Sequence, residues 1–339
     1  MTPLPAWTQD MVFANGYPKS NTQTGVIAEK WITRIAEATE GRVNLRQVPG
    51  GALLKPERML EGVGGGIADA GALVVSFYLG QLPITGTLAG TVDLKLGNKL
   101  DQRGSAAISL KLLEEFPKLG EEFARQGVTP VFWIPTNPYA IISTQPIKTL
   151  ADFQGKRIRV FGNNIPKLVT AAGAVPMAIG FGEIYTSLQT GLIDGAMTDT
   201  QSMTTSKFVE AAPNVTTTGP AEGAYTAFTP VAYVFNTQKF EALPEKDREI
   251  ILSVSREMML EAADVMKESS DVAFESLKGA GAQINHLTEK DTQAFADLAP
   301  DFVQAAAEEL NAKGLPGTAI VDRYNQLAKQ YASGEWKPW

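Results

Sequence analysis

The sequence predicts an α/β protein built as two lobes, and three observations carry that expectation. Residues 155–203 alternate short apolar strands with short helices, a βαβαβ pattern that needs a parallel sheet covered by helices. A weak echo of it lies upstream. Gly66-Ile67-Ala68-Asp69 before Ala70-Gly71-Ala72 resembles Gly191-Leu192-Ile193-Asp194 before Gly195-Ala196, each reading as helix, glycine, two residues, aspartate, strand. Finally, the apolar run Val128–Ile134 is broken by Pro135-Thr136-Asn137-Pro138-Tyr139 before extended structure resumes, which marks a crossing between lobes.

In chain order, Asp10–Ala14 reads as the first strand, closed by the turn formers Asn15-Gly16 and Pro18. A helix follows from Thr22 to Thr39, with Ile27, Trp31, Ile35 and Ala38 on one face and Gly41 as its stop. Val43–Val48 is a strand, and Pro56 opens a short helix, since proline suits a first turn. Ala68–Val74 is a buried strand. The glycines at 62–66 close a helix and open a strand, whereas a dinucleotide cradle follows a strand and opens a helix, so a nucleotide site is excluded there. Residues 99–127 make one or two helices, Ala140–Ser143 is extended, and Leu150–Phe153 leads into the βαβαβ unit.

Within that unit, Lys156–Val160 alternates with period two and is read as a strand. A helix over 166–172, a strand over 175–178 and a helix over 183–190 follow. Gly191 ends that helix because a residue without Cβ leaves through left-handed dihedrals at little cost. Asp194 starts the third strand. Downstream come a helix near 206–211, a loop through Thr216–Thr218 and Gly219-Pro220, and a strand over Phe228–Asn236 returning to the first lobe. Pro244-Glu245 begins the longest helix, to Lys278, with Ile250, Val254, Met258, Ala262, Val265 and Val272 at three- and four-residue steps. At ~1.5 Å per residue it reaches ~50 Å, long enough to pack on both lobes. Two amphipathic helices, 289–312 and 317–332, complete the chain. The expected division is 1–135 plus 225–270 for the first lobe and 136–224 plus 271–339 for the second, with helix 244–278 spanning both.

Composition narrows the function. A net charge of −7 argues against a nucleic-acid partner, because phosphate binding rests on clustered Lys and Arg. The absence of cysteine and the single histidine, His286, remove thiolate nucleophiles, thiolate zinc sites and any site needing two histidines. No G-x-S-x-G and no metal-ligand cluster occurs, so no catalytic residue, metal or cofactor is assigned. No stretch approaches the ~18 apolar residues of a membrane span.

Four pieces in order, GKRIRV from Gly155, GAVPM from Gly173, FGEIYTSLQTG from Phe181 and LIDGA from Leu192, give a pattern that resembles the periplasmic solute-binding proteins of TRAP transporters. The resemblance extends more loosely over nearly the whole chain. It implies a two-lobe periplasmic-binding-protein fold with a hinge, connecting strands and a long spine helix. It also implies a monomeric, non-enzymatic receptor in the periplasm, its secretory leader removed, that closes on a small organic acid and delivers it to the integral permease subunits of the transporter. The alternative is a cytoplasmic α/β enzyme acting on a carboxylate, disfavoured because no acid–base or nucleophile constellation stands out.

The resemblance places the family's carboxylate-binding arginine at Arg159. A planar guanidinium matches a carboxylate with two parallel charge-assisted hydrogen bonds and stays charged at any working pH. Arg157 points the same way on a period-two strand and is read, with Lys156, as a surface group. Where the family carries an asparagine after its D-G pair, this sequence has Thr198, which offers one donor rather than an amide's two, followed by Asp199, which would repel a carboxylate unless it meets a hydroxyl, an amine or a metal. Phe181 matches the family's pocket-floor aromatic. Tyr139 near the break, Val74 and Asn15 in the first lobe, and Phe228 on the returning strand complete the expected lining. Glu183 and Asp194 are read as capping groups and His286 as structural. Because Val74, Val75, Tyr139 and Phe181 offer few hydrogen-bond partners, the expected ligand is a small monocarboxylate with an apolar or aromatic body.

Overall fold

The computed structural model describes residues 9–88, 100–135, 137, 139–161, 164–217, 231–298 and 300–338. Their strands are β1 (Gln9–Ala14), β2 (Val43–Val48), β3 (Ala70–Val74), β4 (Val128–Ile134), β5 (Tyr139–Ser143), β6 (Arg157–Arg159), β7 (Val175–Met177), β8 (Gly195–Asp199), β9 (Asn214–Thr217), β10 (Val231–Asn236) and β11 (Gln283–His286). They form two sheets, ordered β2-β1-β3-β10-β4 and β11-β9-β5-β8-β6-β7. The βαβαβ unit appears as expected, with β6 parallel to both β7 and β8. The sheets as wholes are mixed rather than parallel. β10 runs antiparallel to β3 and β4, and β5 runs antiparallel to β8 and β9. These are the strands on which the chain enters a sheet after crossing from the other, so they arrive against the direction of its own βαβ strands.

The first lobe packs its sheet against the helix Ile27–Ala38 and the long helix Glu245–Gly279. Trp31 is its keystone: fully buried, stacked on Phe132 at 6.2 Å, edge-on to Tyr233 at 5.3 Å, with its indole N–H donating to Ser255 Oγ of the long helix at 2.9 Å. Aromatic contacts of this kind add ~0.5–1.5 kcal/mol each beyond burial. The second core gathers Ile141, Ile142, Phe153 and Ile158 around the second sheet, with Phe153 stacked on Phe295 at 5.6 Å. The long helix sends Ile251, Met258 and Met266 into the first core and Phe274 and Leu277 into the second.

Three features differ from expectation. Residues 317–333, expected with the second lobe, pack on Gln102–Glu115 instead, forming a separate core of Ile108, Leu112, Ile320, Tyr324 and Leu327. Arg323 clamps Glu115 there with two hydrogen bonds of 2.7 and 2.8 Å. Periodicity shows that a helix has an apolar face, but not which surface that face meets. The expected 289–312 helix is two, Glu289–Asp297 and Pro300–Ala312, because proline ends one helix and suits the start of the next. Strand β9 falls where the sequence reads a loop, and β11 where it predicts no element. Their polar side chains hid them: Thr216 Oγ1 donates to Ile147 O at 2.7 Å, and Thr217 Oγ1 lies 2.6 Å from His286 Nδ1. The lone histidine is therefore a strand residue of the second lobe. Of the returning strand, residues 228–230 lie outside the described residues, and with them the candidate Phe228.

Candidate functional site

A cleft between the lobes collects side chains from the ends of β3, β5, β6 and β8 and from the loop after β1. It is lined by Tyr17, Asn21, Gln23, Thr24, Val74, Ser76 and Phe77 from the first lobe. The second lobe supplies Tyr139, Arg159, Phe161, Phe181, Thr198, Asp199 and Ser202. The space left between these side chains is ≈ 30 Å³, room for about one water molecule and far below the ~300–1,000 Å³ usual for ligand pockets.

Arg159 occupies the second-lobe wall with only 3% of its surface exposed. Its Nε donates to Ile179 O at 3.0 Å and its Nη1 to Met197 O at 3.1 Å, so two carbonyls hold the guanidinium plane at the sheet's end. Its carbon lies 5.6 Å from the Phe161 ring centre, a distance at which the ring face attracts a cation. Among the described residues no carboxylate comes within ion-pair distance of Arg159. Burial pulls its pKa down, against the neighbouring phenols of Tyr139 and Tyr17 and the carboxylates of Glu57 and Asp199. Arg157 is the opposite case. Its Nε and Nη2 meet both oxygens of Asp194, at 3.0 and 2.8 Å, and its own N–H caps the same carboxylate at 2.8 Å. The sequence left two arginines on one strand; the structure neutralises one and leaves the other for the cleft.

Asp199 ends β8 and caps the short helix Thr200–Thr205, its Oδ1 accepting from Ser202 N at 2.9 Å. Burial raises its pKa, with the Ser202 hydrogen bonds and Arg159 opposing. Tyr139, paired with Asp199 across β5 and β8, lays its ring 4.7 Å from Phe161. Phe181 meets Tyr17 of the first lobe at 5.2 Å and Phe208 of the second at 5.6 Å, so it is a contact between lobes as well as a wall. Thr198 and Val74 also line the cleft.

Asn15 does not. It lies behind the wall, where its Oδ1 accepts from Tyr17 N at 2.9 Å and sets the loop that carries Tyr17. That loop supplies residues which sequence reasoning missed: Tyr17, Asn21, Gln23 and Thr24. The first turn of the expected helix is a π-turn, Thr22–Val26, capped by Asn21 Oδ1, which accepts from Thr24 N at 3.0 Å. Single π-turns of this kind are frequent at functional sites. Gly25 is needed there, because a Cβ would stand 2.1 Å from Lys19 O. The Tyr233 hydroxyl donates to Gln23 O and fixes the turn from the sheet below. Asparagine followed by a polar run and a glycine was the available signal. Phe77, Ser76, Phe161 and Ser202 were missed too.

Two other hollows are larger but surround no buried charge. One lies under β4 among Leu113, Trp133 and Met259, the other beside the long helix among Thr22, Gln201 and Val272.

A buried cation with no carboxylate partner among the described residues thus lines a cleft between two α/β lobes. The family description "bacterial extracellular solute-binding protein, family 7" matches residues 13–309, and the chain belongs to that family. It is a TRAP-type solute-binding protein. The 2,3-diketo-L-gulonate-binding periplasmic protein of Escherichia coli K12 is 26% identical over 298 residues, 83% of this chain and 82% of that one. The ectoine-binding periplasmic protein of Halomonas elongata is 27% identical over 223 residues, and the match spans 65% of this chain and 62% of the relative, under two thirds of either. Among solved structures, a TRAP solute-binding protein of Rhodoferax ferrireducens in complex with copurified benzoate superposes with a TM-score of 0.85 at 18% identity, covering 97% of this chain and 100% of that one.

Proposed function

We propose that this receptor binds a compact monocarboxylate with an apolar or aromatic body, held by Arg159, and hands it to the permease of a TRAP transporter. The observation that carries the reading is the guanidinium of Arg159, buried in the cleft and met by no carboxylate among the described residues. A buried charge left unpaired is costly, and a ligand carboxylate supplies the missing partner. Ligands named for relatives range from a plain aromatic acid to a sugar acid, so the class has to come from this lining. The rings of Phe77, Phe161 and Phe181 and the side chain of Val74 suit a ring or branched chain. Arg159 is the only cation in the lining, which leaves a dicarboxylate's second charge without a partner. The protein acts as a monomer outside the cytoplasm and performs no catalysis; its work is closure, since contacts from both lobes shift the population toward the closed form.

A thermal-shift screen over aromatic acids, branched 2-oxo and 2-hydroxy acids, dicarboxylates and uronates tests this. A saturating acid of the right class raises the melting temperature by mass action and compacts the protein in small-angle scattering. Stabilisation by uronates or dicarboxylates alone overturns the compact-monocarboxylate reading.

A further inference from the structure

Two polar groups of the lining bear on what the ligand carries besides its carboxylate. Gln23, on the first-lobe π-turn, is 8% exposed and lines the cleft. Its backbone carbonyl is occupied by the Tyr233 hydroxyl, yet its side-chain Nε2 is buried without an acceptor among the described residues. Native interiors rarely leave such a donor unmet, because the lost hydration is not recovered. On the second-lobe side of the same lining is Asp199, its one carboxylate. One of its oxygens holds the Ser202 N–H, and no cation among the described residues comes within ion-pair distance. An ionised carboxylate only accepts hydrogen bonds. The lining thus holds a buried donor without an acceptor, Gln23 Nε2, and an acceptor carboxylate, Asp199, on opposite lobes of the cleft that Arg159 also lines.

Building on the carboxylate reading of Arg159, we propose that Gln23 and Asp199 together read a hydroxyl on the carbon next to the ligand's carboxylate, so that this receptor selects 2-hydroxy acids. A hydroxyl is the one small group that answers both: its oxygen accepts from Gln23 Nε2 while its O–H donates to Asp199. A 2-oxo group accepts from Gln23 but turns a lone pair toward Asp199. A 2-ammonium group suits Asp199 but sets donor against donor at Gln23. A methylene satisfies neither. Because the two groups sit on different lobes, the hydroxyl also ties the lobes together, and Gln23 becomes a specificity-determining residue of the closed state.

Calorimetry with two matched series decides it: mandelate, phenylglyoxylate and phenylacetate, then 2-hydroxyisovalerate, 2-oxoisovalerate and isovalerate. In the better-bound series the wild type favours the 2-hydroxy acid over both others by about tenfold or more, the scale of one well-made hydrogen bond. Gln23→Met, close in volume, erases the advantage over the unsubstituted acid. Asp199→Asn retains the helix cap, since asparagine caps as well as aspartate, and reverses the order of 2-hydroxy and 2-oxo acids because an amide can donate to the oxo oxygen. Equal wild-type affinity within each series, or an unchanged preference in both variants, overturns the proposal. If acids bind and Arg159→Ala abolishes that binding, such a result removes only the hydroxyl assignment. If no acid binds, the carboxylate reading falls and this one with it.

Discussion

The two lobes repeat one junction and diverge in what they bring to the cleft. In the first, Gly66 turns the chain at φ +78° and Asp69 Oδ2 accepts from Val12 N on β1 at 2.7 Å; in the second, Gly191 does so at φ +70° and Asp194 Oδ2 accepts from Arg157 N on β6 at 2.8 Å. In both, an aspartate just ahead of one strand ties down the neighbouring strand. At the opposite ends of these strands the symmetry stops. The second lobe carries the charges, Arg159 and Asp199, on strand ends. The first carries neutral polar groups on a π-turn. Two carbonyls hold Arg159, the Ser202 N–H holds Asp199, and the Tyr233 hydroxyl pins the turn, so each lobe brings its polar groups to the cleft already fixed in place.

The largest expected effect comes from removing the charged half. Arg159→Ala weakens binding of a bound acid by ~2–5 kcal/mol, the usual cost of truncating one partner of a buried charged pair, or roughly 30- to 4,000-fold in dissociation constant. Arg157→Ala, whose partner Asp194 is structural, leaves affinity unchanged. Calorimetry on the pair separates two arginines that share a strand, and equal effects would sink the assignment.

The repeated junction should itself be unequal. Asp194 accepts from a backbone N–H and from a guanidinium, while Asp69 accepts from a backbone N–H and meets Lys239 Nζ only at 3.6 Å. Hydrogen bonds to charged groups contribute ~1.5–3 kcal/mol against ~0.5–1.5 for neutral ones. Asp194→Ala is therefore expected to lower the urea-unfolding free energy by about 2 kcal/mol and Asp69→Ala by about 1. The reverse order would show that the echo is one of sequence only.

A smaller effect belongs to the bridge between lobes. Gln201 of the second lobe accepts from Thr22 N at 3.3 Å with Oε1, donates to Thr22 Oγ1, and donates to Ser269 Oγ of the long helix at 3.0 Å. These bonds join one lobe to the other without a ligand. Gln201→Ala should cost closure ~1 kcal/mol and weaken affinity about fivefold, with a larger radius of gyration for the unliganded protein. An unchanged scattering profile would remove the latch role.

The smallest effect is in pH, and the two second-lobe aspartates have opposite signs. The Arg157 hydrogen bond, then its charge, holds Asp194 below the ordinary carboxylate range, so its contribution is present above ~3.9 and lost as pH falls through the lowered folded value. Burial holds Asp199 above that range, so between ~3.9 and its folded value the folded state keeps a proton the unfolded state has shed, and stability falls as pH rises. Unfolding midpoints from about pH 4 to 7 should flatten on that rising side in Asp199→Asn. A profile identical to wild type would contradict the raised carboxyl.

The second-lobe half of the site was legible because its residues sit on strands. Alternation marked the strand that carries Arg157 and Arg159, and the family resemblance singled out Arg159 on it and Thr198 and Asp199 after the D-G pair. The same resemblance supplied Phe181. The first-lobe half was not legible. Asn15 and Tyr17 stand two residues apart in one turn, and only the folded loop decides that the tyrosine enters the cleft while the asparagine supports it from behind. Gln23 reads as an ordinary first-turn residue until the Tyr233 hydroxyl, 210 positions away, pins its carbonyl and the Lys19 backbone closes on Gly25. The sequence by itself determined the α/β class, the family and the strand that carries the two arginines. Tertiary structure alone decided which helices the C-terminal residues cover, which arginine is left unpaired, and which polar groups face it, because each depends on contacts between segments that no local period encodes.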